Sequence, residues 1–246
     1  MHDAHKDRRY EPDSGIHQGV LDTPPLGDEA LIVLARYPRP GFVKRRLAAE
    51  IGDAPAADLC RAFLLDLRRR LADHPSWATY WAFEPADSPF PEEIGRGDRC
   101  FPQKGRNLGE RMEAAMGQAL RLGHSSAVLI GSDIPHVPLG VLAEAFCKLA
   151  EGAGLVLGPA EDGGYYLIGA HSVPPVFAGI RWGAADVLSA TVSAARAAGI
   201  EPTIVSSCYD VDDLASLEHL RADIMSRKVE DLPSTRAALE RLPLVR

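Results

Sequence analysis

Four cysteines in 246 residues, at Cys60, Cys100, Cys147 and Cys208, leave no C-x-x-C pair in the chain. That spacing argues against a metal-binding cysteine cluster, a thioredoxin-type redox motif and a disulfide framework. Cys60 and Cys147 fall within expected helices among apolar neighbours, which predicts buried free thiols and fits a reducing cytoplasm. Long apolar runs are missing as well: no stretch approaches the ~20 residues that cross a bilayer. The first 28 residues are polar, rich in His, Asp and Pro, and lack the apolar run of a signal peptide. They read as a flexible extension ahead of a folded region spanning 29–246. Positive charge is scarce overall, with 27 Lys and Arg against 34 Asp and Glu and a formal net charge of −7. A broad nucleic-acid surface draws its affinity from a basic face, so that partner is not expected. Two phosphate-binding signatures, G-x-x-x-x-G-K-[ST] and G-x-G-x-x-G, are absent too. No internal repeat, low-complexity tract or clear interdomain linker breaks the chain.

Hydrophobic residues make up 46% of the sequence, enough for a globular core and too many for a disordered chain. Short apolar runs alternate with longer amphipathic stretches. Expected strands are Ala30–Ala35, Thr79–Phe83, Ala127–Gly131, Gly154–Gly158, Tyr165–Ala170 and Pro202–Ser206. Expected helices are Ala56–Ala72, Leu108–Leu122, Pro138–Glu151, Ala185–Ala198 and Asp213–Ile224, with room for a short terminal helix in Arg227–Arg246. Glu84–Gly97, rich in Pro, Asp and Glu, reads as a surface loop. The alternation predicts a single α/β domain with a mostly parallel sheet covered on both faces. In such sheets ligands bind beyond the carboxyl ends of the strands. The informative residues do follow strands.

After the first strand comes Ala35-Arg36-Tyr37-Pro38-Arg39-Pro40-Gly41-Phe42-Val43-Lys44-Arg45-Arg46, with five basic residues and no acid between Leu31 and Ala49. A basic loop constrained by proline can hold phosphate oxygens while Gly41 admits a close approach; the alternative is a solvated basic loop. Asp133, in Gly131-Ser132-Asp133, ends a buried strand and suits either a hard divalent cation or a helix cap. His136 reads as a loop histidine, because no second His stands at ligand spacing. Glu161-Asp162-Gly163-Gly164-Tyr165 is a strong turn signal whose two carboxylates could also accept bonds from hydroxyls. In Tyr209-Asp210-Val211-Asp212-Asp213 the acids either cap a helix or complete a metal site with Asp133. A weaker signal, Lys104-Gly105-Arg106-Asn107-Leu108-Gly109-Glu110-Arg111, opens a helix with Asn107 as its cap and offers arginines to an anion.

In combination, Pro40–Leu47, Asn107–Arg111, Gly131–Asp133, Glu161–Tyr165 and Asp210–Asp212 resemble the bacterial DUF2064 family. That family, also called radical-SAM/selenodomain-associated transferase 1, belongs to the GT-A-like nucleotide-diphospho-sugar transferases. The likeness runs in order over about residues 30–220. It implies a Rossmann-like GT-A fold with a nucleotide pocket near the first strand, around Ala35, Arg36 and Gly41. Lys44 and Arg46 would hold phosphates, joined by Asn107 and Arg111. Asp133 and Asp212 would hold Mg²⁺ or Mn²⁺. Glu161 and Asp162 are the candidate catalytic carboxylates, and Gly163, Gly164 and Tyr165 the candidate substrate contacts. The chain departs from the family at Arg45, where Thr is usual, at Asn107, where Asp is usual, and at Gly183, where Ser or Thr follows the tryptophan.

These residues support a metal-dependent transferase that uses a nucleotide-activated sugar and a small-molecule acceptor. Nucleotidyl transfer to a phosphorylated acceptor is the alternative within enzymes. A non-catalytic nucleotide-binding module is the alternative outside them.

Overall fold

The computed structural model of the chain describes residues 28–72, 74, 76–229 and 232–242. Apart from Asp28, the expected N-terminal extension lies outside the described residues. Seven strands make one sheet: β1 (Glu29–Arg36), β2 (Trp77–Glu84), β3 (Arg99–Pro102), β4 (Ser126–Gly131), β5 (Val156–Pro159), β6 (Tyr165–Ala170) and β7 (Thr203–Ile204). Helices α1 (Arg45–Ile51), α2 (Asp53–Leu71) and α3 (Phe90–Glu93) come first. They are followed by α4 (Leu108–Arg121), α5 (Leu139–Ala150), α6 (Val187–Ala197), α7 (Leu214–Met225) and α8 (Pro233–Arg241).

The strand order is β3-β2-β1-β4-β6-β5-β7. Strand β1 pairs in parallel with both β2 and β4, while β6 runs antiparallel to β4 and β5. The sheet is therefore mostly parallel, as its Val-, Leu- and Ile-rich strands predict. Along β1 the side chains alternate: Leu31, Val33 and Ala35 enter one core, Ala30 and Ile32 the other. Period-two alternation with both faces buried is what helices on each side of a sheet require. The chain leaves β1 toward β2 on one side and returns to β4 on the other, so a crevice opens beyond their carboxyl ends. The antiparallel β6 presents its starting residues, Tyr165 and Tyr166, at that same edge.

A third apolar cluster, containing Leu47, Phe63, Leu217 and Leu239, unites α1, α2, α7 and α8. Asp66, fully buried on α2, accepts bonds from the backbone N–H of Ser234 (3.0 Å) and Thr235 (2.7 Å). These are orphan donors in the first turn of α8, so α2 caps a helix that follows it by more than 160 residues.

Several elements differ from the sequence reading. Helix α1 begins in the last residues of the basic segment expected to be a loop, and α3 lies inside the expected loop 84–97, where Phe90 and Ile94 are buried. Strand β3 is too short and polar to announce itself, and β7 spans two residues rather than Pro202–Ser206. Cys60 is buried but Cys147 is exposed, a correction with a simple cause: α5 buries Leu142, Ala145, Phe146 and Leu149, and Cys147 turns off that face. All four thiols are free. No helix among the described residues is long and apolar enough to cross a membrane.

Asp66→Ala leaves two buried N–H groups unpaired, and should lower the unfolding free energy by about 3 kcal/mol. Urea denaturation measures it; an unchanged midpoint would mean that α8 is docked by its apolar face alone.

Candidate functional site

A cleft of about 1070 Å³ occupies the crevice at the carboxyl ends of β1, β2 and β4. It is lined by five cations (Arg36, Lys44, Arg45, Arg46, Arg111) and three carboxylates (Glu84, Asp133, Asp212). The lining therefore carries a surplus of two positive charges in a chain whose total is −7. Low-dielectric walls concentrate such a field on an anion.

Lys44 organises one side. It caps α1 with a left-handed backbone (φ 48°, ψ 45°), a conformation costing a non-glycine residue about 1–2 kcal/mol. Its side chain is only 3% exposed, and its Nζ lies 2.5 Å from Asp133 Oδ1 and 3.0 Å from Asp212 Oδ1. The same ammonium donates to the Val211 carbonyl at 2.7 Å. Burial alone would depress its pKa, but the Asp133 and Asp212 carboxylates more than offset that and leave it raised. Arg46 donates to the second oxygen of Asp212 at 2.8 Å. Burial also opposes the charge on Asp212, yet the Lys44 ammonium and Arg46 guanidinium hold its carboxyl below the ordinary range.

The acidic segment before α7 divides its work. Asp213 is the helix cap, accepting from Ser216 N at 2.9 Å in a capping box. Asp212 faces the cleft. Asp210 is pushed up to about 7, by burial first and then by the carboxylates of Asp133, Asp212 and Asp162. The backbone ties the two strand ends together, with Val211 N donating to Asp133 O at 2.9 Å.

Glu84 organises the opposite side. It ends β2, takes Arg36 Nε on one oxygen at 2.7 Å and pairs with Arg111 through the other. Gln103 closes the floor between strands, donating to the carbonyls of Ala35 (3.0 Å) and Ala82 (2.8 Å). Asn107 caps α4 through Glu110 N and borders the cleft, as does Tyr165, whose ring meets Trp182 edge-on. Cys60 also lines the cleft, but burial and the Asp133 carboxylate push its thiol up to about 12, leaving it a packing residue.

Of the residues expected from sequence, Ala35, Arg36, Lys44, Arg46, Asn107, Arg111, Asp133, Tyr165 and Asp212 border one cleft. Gly41, Glu161, Asp162, Gly163 and Gly164 do not. Gly41 (φ 79°) turns the chain so that Phe42 N reaches Arg39 O. Asp162 bonds Gly164 N at 2.9 Å, and the segment is the tight turn between β5 and β6. Gly163 does permit a close approach, but to protein: a Cβ there would lie 2.0 Å from the Ala185 carbonyl oxygen. Lys44 touches carboxylates where phosphate was expected. Glu84, Gln103, Arg45 and Tyr166 went unassigned. The strand-end rule points straight to Glu84, which sits one residue past an expected strand in a stretch read as surface loop.

Among the described residues, no group of three or more His, Cys, Asp or Glu side chains is arranged to hold a metal ion. Asp133 and Asp212 nevertheless converge on one cation, the Lys44 ammonium. Two carboxylates that leave the remaining positions to phosphate oxygens and water fit the habit of Mg²⁺ in nucleotide sites.

Fold and cleft together define a single-domain α/β protein with a mostly parallel sheet of the Rossmann-like, GT-A-like type. The chain is similar to a protein of Desulfovibrio desulfuricans G20, described as a "putative nucleotide-diphospho-sugar transferase", at 36% identity and a TM-score of 0.77, over 87% of this chain and 94% of that one. A cytidylyltransferase of Leptospira borgpetersenii shares the fold at 14% identity and a TM-score of 0.53, over 87% of this chain and 93% of that one. A CMP:2-keto-3-deoxy-manno-octonic acid synthetase complexed with CTP does so at 13% identity and a TM-score of 0.51, over 81% and 99%. No curated protein matches the chain in sequence. The profile of the bacterial family DUF2064, described as an uncharacterized protein conserved in bacteria, matches residues 65–184. The chain belongs to the DUF2064 family.

Behind the acidic loop, His136 packs on the Tyr209 ring at 4.1 Å and lies 3.4 Å from Cys208 Sγ. Burial, helped by the Arg70 guanidinium, pushes its pKa down to about 4. Between pH 6.5 and 4 the unfolded chain binds a proton here that the folded chain refuses, so acidification across that window removes roughly 3 kcal/mol of stability. Denaturation measured from pH 7 to 4 should show this slope, and His136→Phe should flatten it. A variant as pH-sensitive as the parent would assign the slope to other groups.

Proposed function

We propose that this chain is a transferase acting on a nucleotide-activated sugar, with a small-molecule acceptor. The observation that carries the reading is the cleft beyond β1 and β4. It joins a surplus of arginine to two carboxylates facing one cation position. Arg45 and Arg46 line the same cleft as the Asp133–Asp212 pair and suit diphosphate oxygens. Arg36 and Arg111, fixed by Glu84, suit the rest of the nucleotide. Fixed cations in a cleft need little reorganisation when negative charge develops on a leaving group. Mg²⁺ or Mn²⁺, held by Asp133 and Asp212 and completed by the diphosphate, would supply further charge neutralisation. Acceptor hydroxyls in the cleft meet Ser132 and Asp133, while Asp162 acts from outside the lining by accepting from Gly164 N and keeping the turn in place.

Nucleotidyl transfer is favoured by one specific feature, the number of cleft cations, since five suit a triphosphate at least as well as a diphosphate. The products separate the readings: free nucleoside diphosphate supports sugar transfer, and pyrophosphate supports nucleotidyl transfer. Binding without turnover and without metal dependence would leave a nucleotide-binding module.

A thermal-shift screen of nucleoside diphosphates and sugar nucleotides, with and without Mn²⁺, tests the site directly. A ligand at a hundred times its Kd should raise Tm by about 5–10 °C. Asp133→Ala should abolish the metal-dependent part. If no nucleotide shifts the transition, or the metal-dependent shift survives Asp133→Ala, the assignment fails.

A further inference from the structure

An ammonium group has three N–H donors. In Lys44 all three are taken, by Asp133 Oδ1, Asp212 Oδ1 and the Val211 carbonyl. None is left for a phosphate oxygen. The side chain is almost fully buried and stands over the Phe63 ring, 5.7 Å from its centroid, so its stem is packed rather than draped on the surface. Its backbone is held in the left-handed region to put it there. The placement is built into the fold. With Arg46 on the other oxygen of Asp212, two positive side chains balance two negative ones. A free divalent ion approaching Asp133 and Asp212 meets a pair already neutralised.

We propose that Lys44 is a tethered cation occupying the position a divalent metal would take between Asp133 and Asp212, so that metal and ammonium exclude one another. Metal entry then requires the ammonium to leave, which frees its donors toward the cleft. Phosphate is the cleft ligand able to receive them. This last step rests on the nucleotide reading above; the exclusion itself does not.

The test uses Mn²⁺ alone, with no nucleotide, so its failure is distinct from failure of the nucleotide reading. Binding is followed through the electron paramagnetic resonance signal of free Mn²⁺, on the full chain and on Lys44→Met. The variant should bind Mn²⁺ tenfold or more tightly than the parent, and the gain should vanish in Lys44→Met combined with Asp133→Asn. An affinity no greater than the parent's, or a gain that survives Asp133→Asn, overturns the proposal. A second measurement uses the unaltered chain and does not depend on the variant folding. Lys44 should react slowly with an amine-acylating ester, read by peptide mass spectrometry, and at least severalfold faster when Mn²⁺ saturates the chain. Unchanged labelling at saturating Mn²⁺ would also overturn the proposal, because any bound ion would then leave the ammonium in place.

Discussion

The ion group of Lys44, Asp133 and Asp212 is the constraint on which the cleft depends. It joins the start of α1, the end of β4 and the segment before α7, spanning 168 residues of sequence through one ammonium. Desolvating a charge is costly, and a buried pair stabilises only when its geometry and remaining hydrogen bonds are satisfied. Here they are, because the Val211 carbonyl takes the third donor and Arg46 the outer carboxylate oxygen. The same loop is fixed a second time by the backbone bond from Val211 to Asp133. Asp133 and Asp212 therefore face each other across the Lys44 ammonium.

The other wall follows the same logic with the signs reversed. A single carboxylate, Glu84, holds two guanidinium groups from β1 and α4. One wall has a cation pinned by acids, the other an acid pinned by cations. Each pinned group is held in place before any substrate arrives, and this preorganisation is what an electrostatic site requires. Asp210, beside the acids of the first wall, shows the cost of crowding, since burial first and then the carboxylates of Asp133, Asp212 and Asp162 raise its pKa toward neutrality.

Apart from β3, the sheet was legible in the sequence because its strands carry their own signal, apolar runs buried on both faces and separated by amphipathic helices. The positions of Lys44, Asp133 and Asp212 were legible for the same reason, since each follows a strand. What each touches was not. The choice between phosphate and carboxylate for Lys44 depends on which distant strand ends meet, and local composition does not encode that. Glu84 was passed over because the acids and prolines after it look like solvent-facing loop, although Phe90 and Ile94 within that loop are core residues. The Asp162–Gly164 turn misled in the opposite way. Its carboxylate and glycines have the chemistry of a ligand site, but they spend it on closing β5 onto β6 and on admitting the Ala185 carbonyl.

An acidic protein with a positively charged cleft is no contradiction once the charges are placed. Most acids lie elsewhere on the chain, and the three in the cleft are all committed to cations, leaving the lining with a net surplus of two positive charges. On the proposed function such a lining would attract a nucleotide diphosphate without fully neutralising it, leaving room for a divalent ion to balance the complex. If Lys44 yields its place to that ion, the cleft takes up the metal's charge most readily when metal and phosphate arrive together. Neither alone gains as much: free metal meets a satisfied carboxylate pair, and free phosphate meets an ammonium with no donor to spare. Selecting the metal–nucleotide complex over its parts then follows from one buried side chain and the two acids it joins.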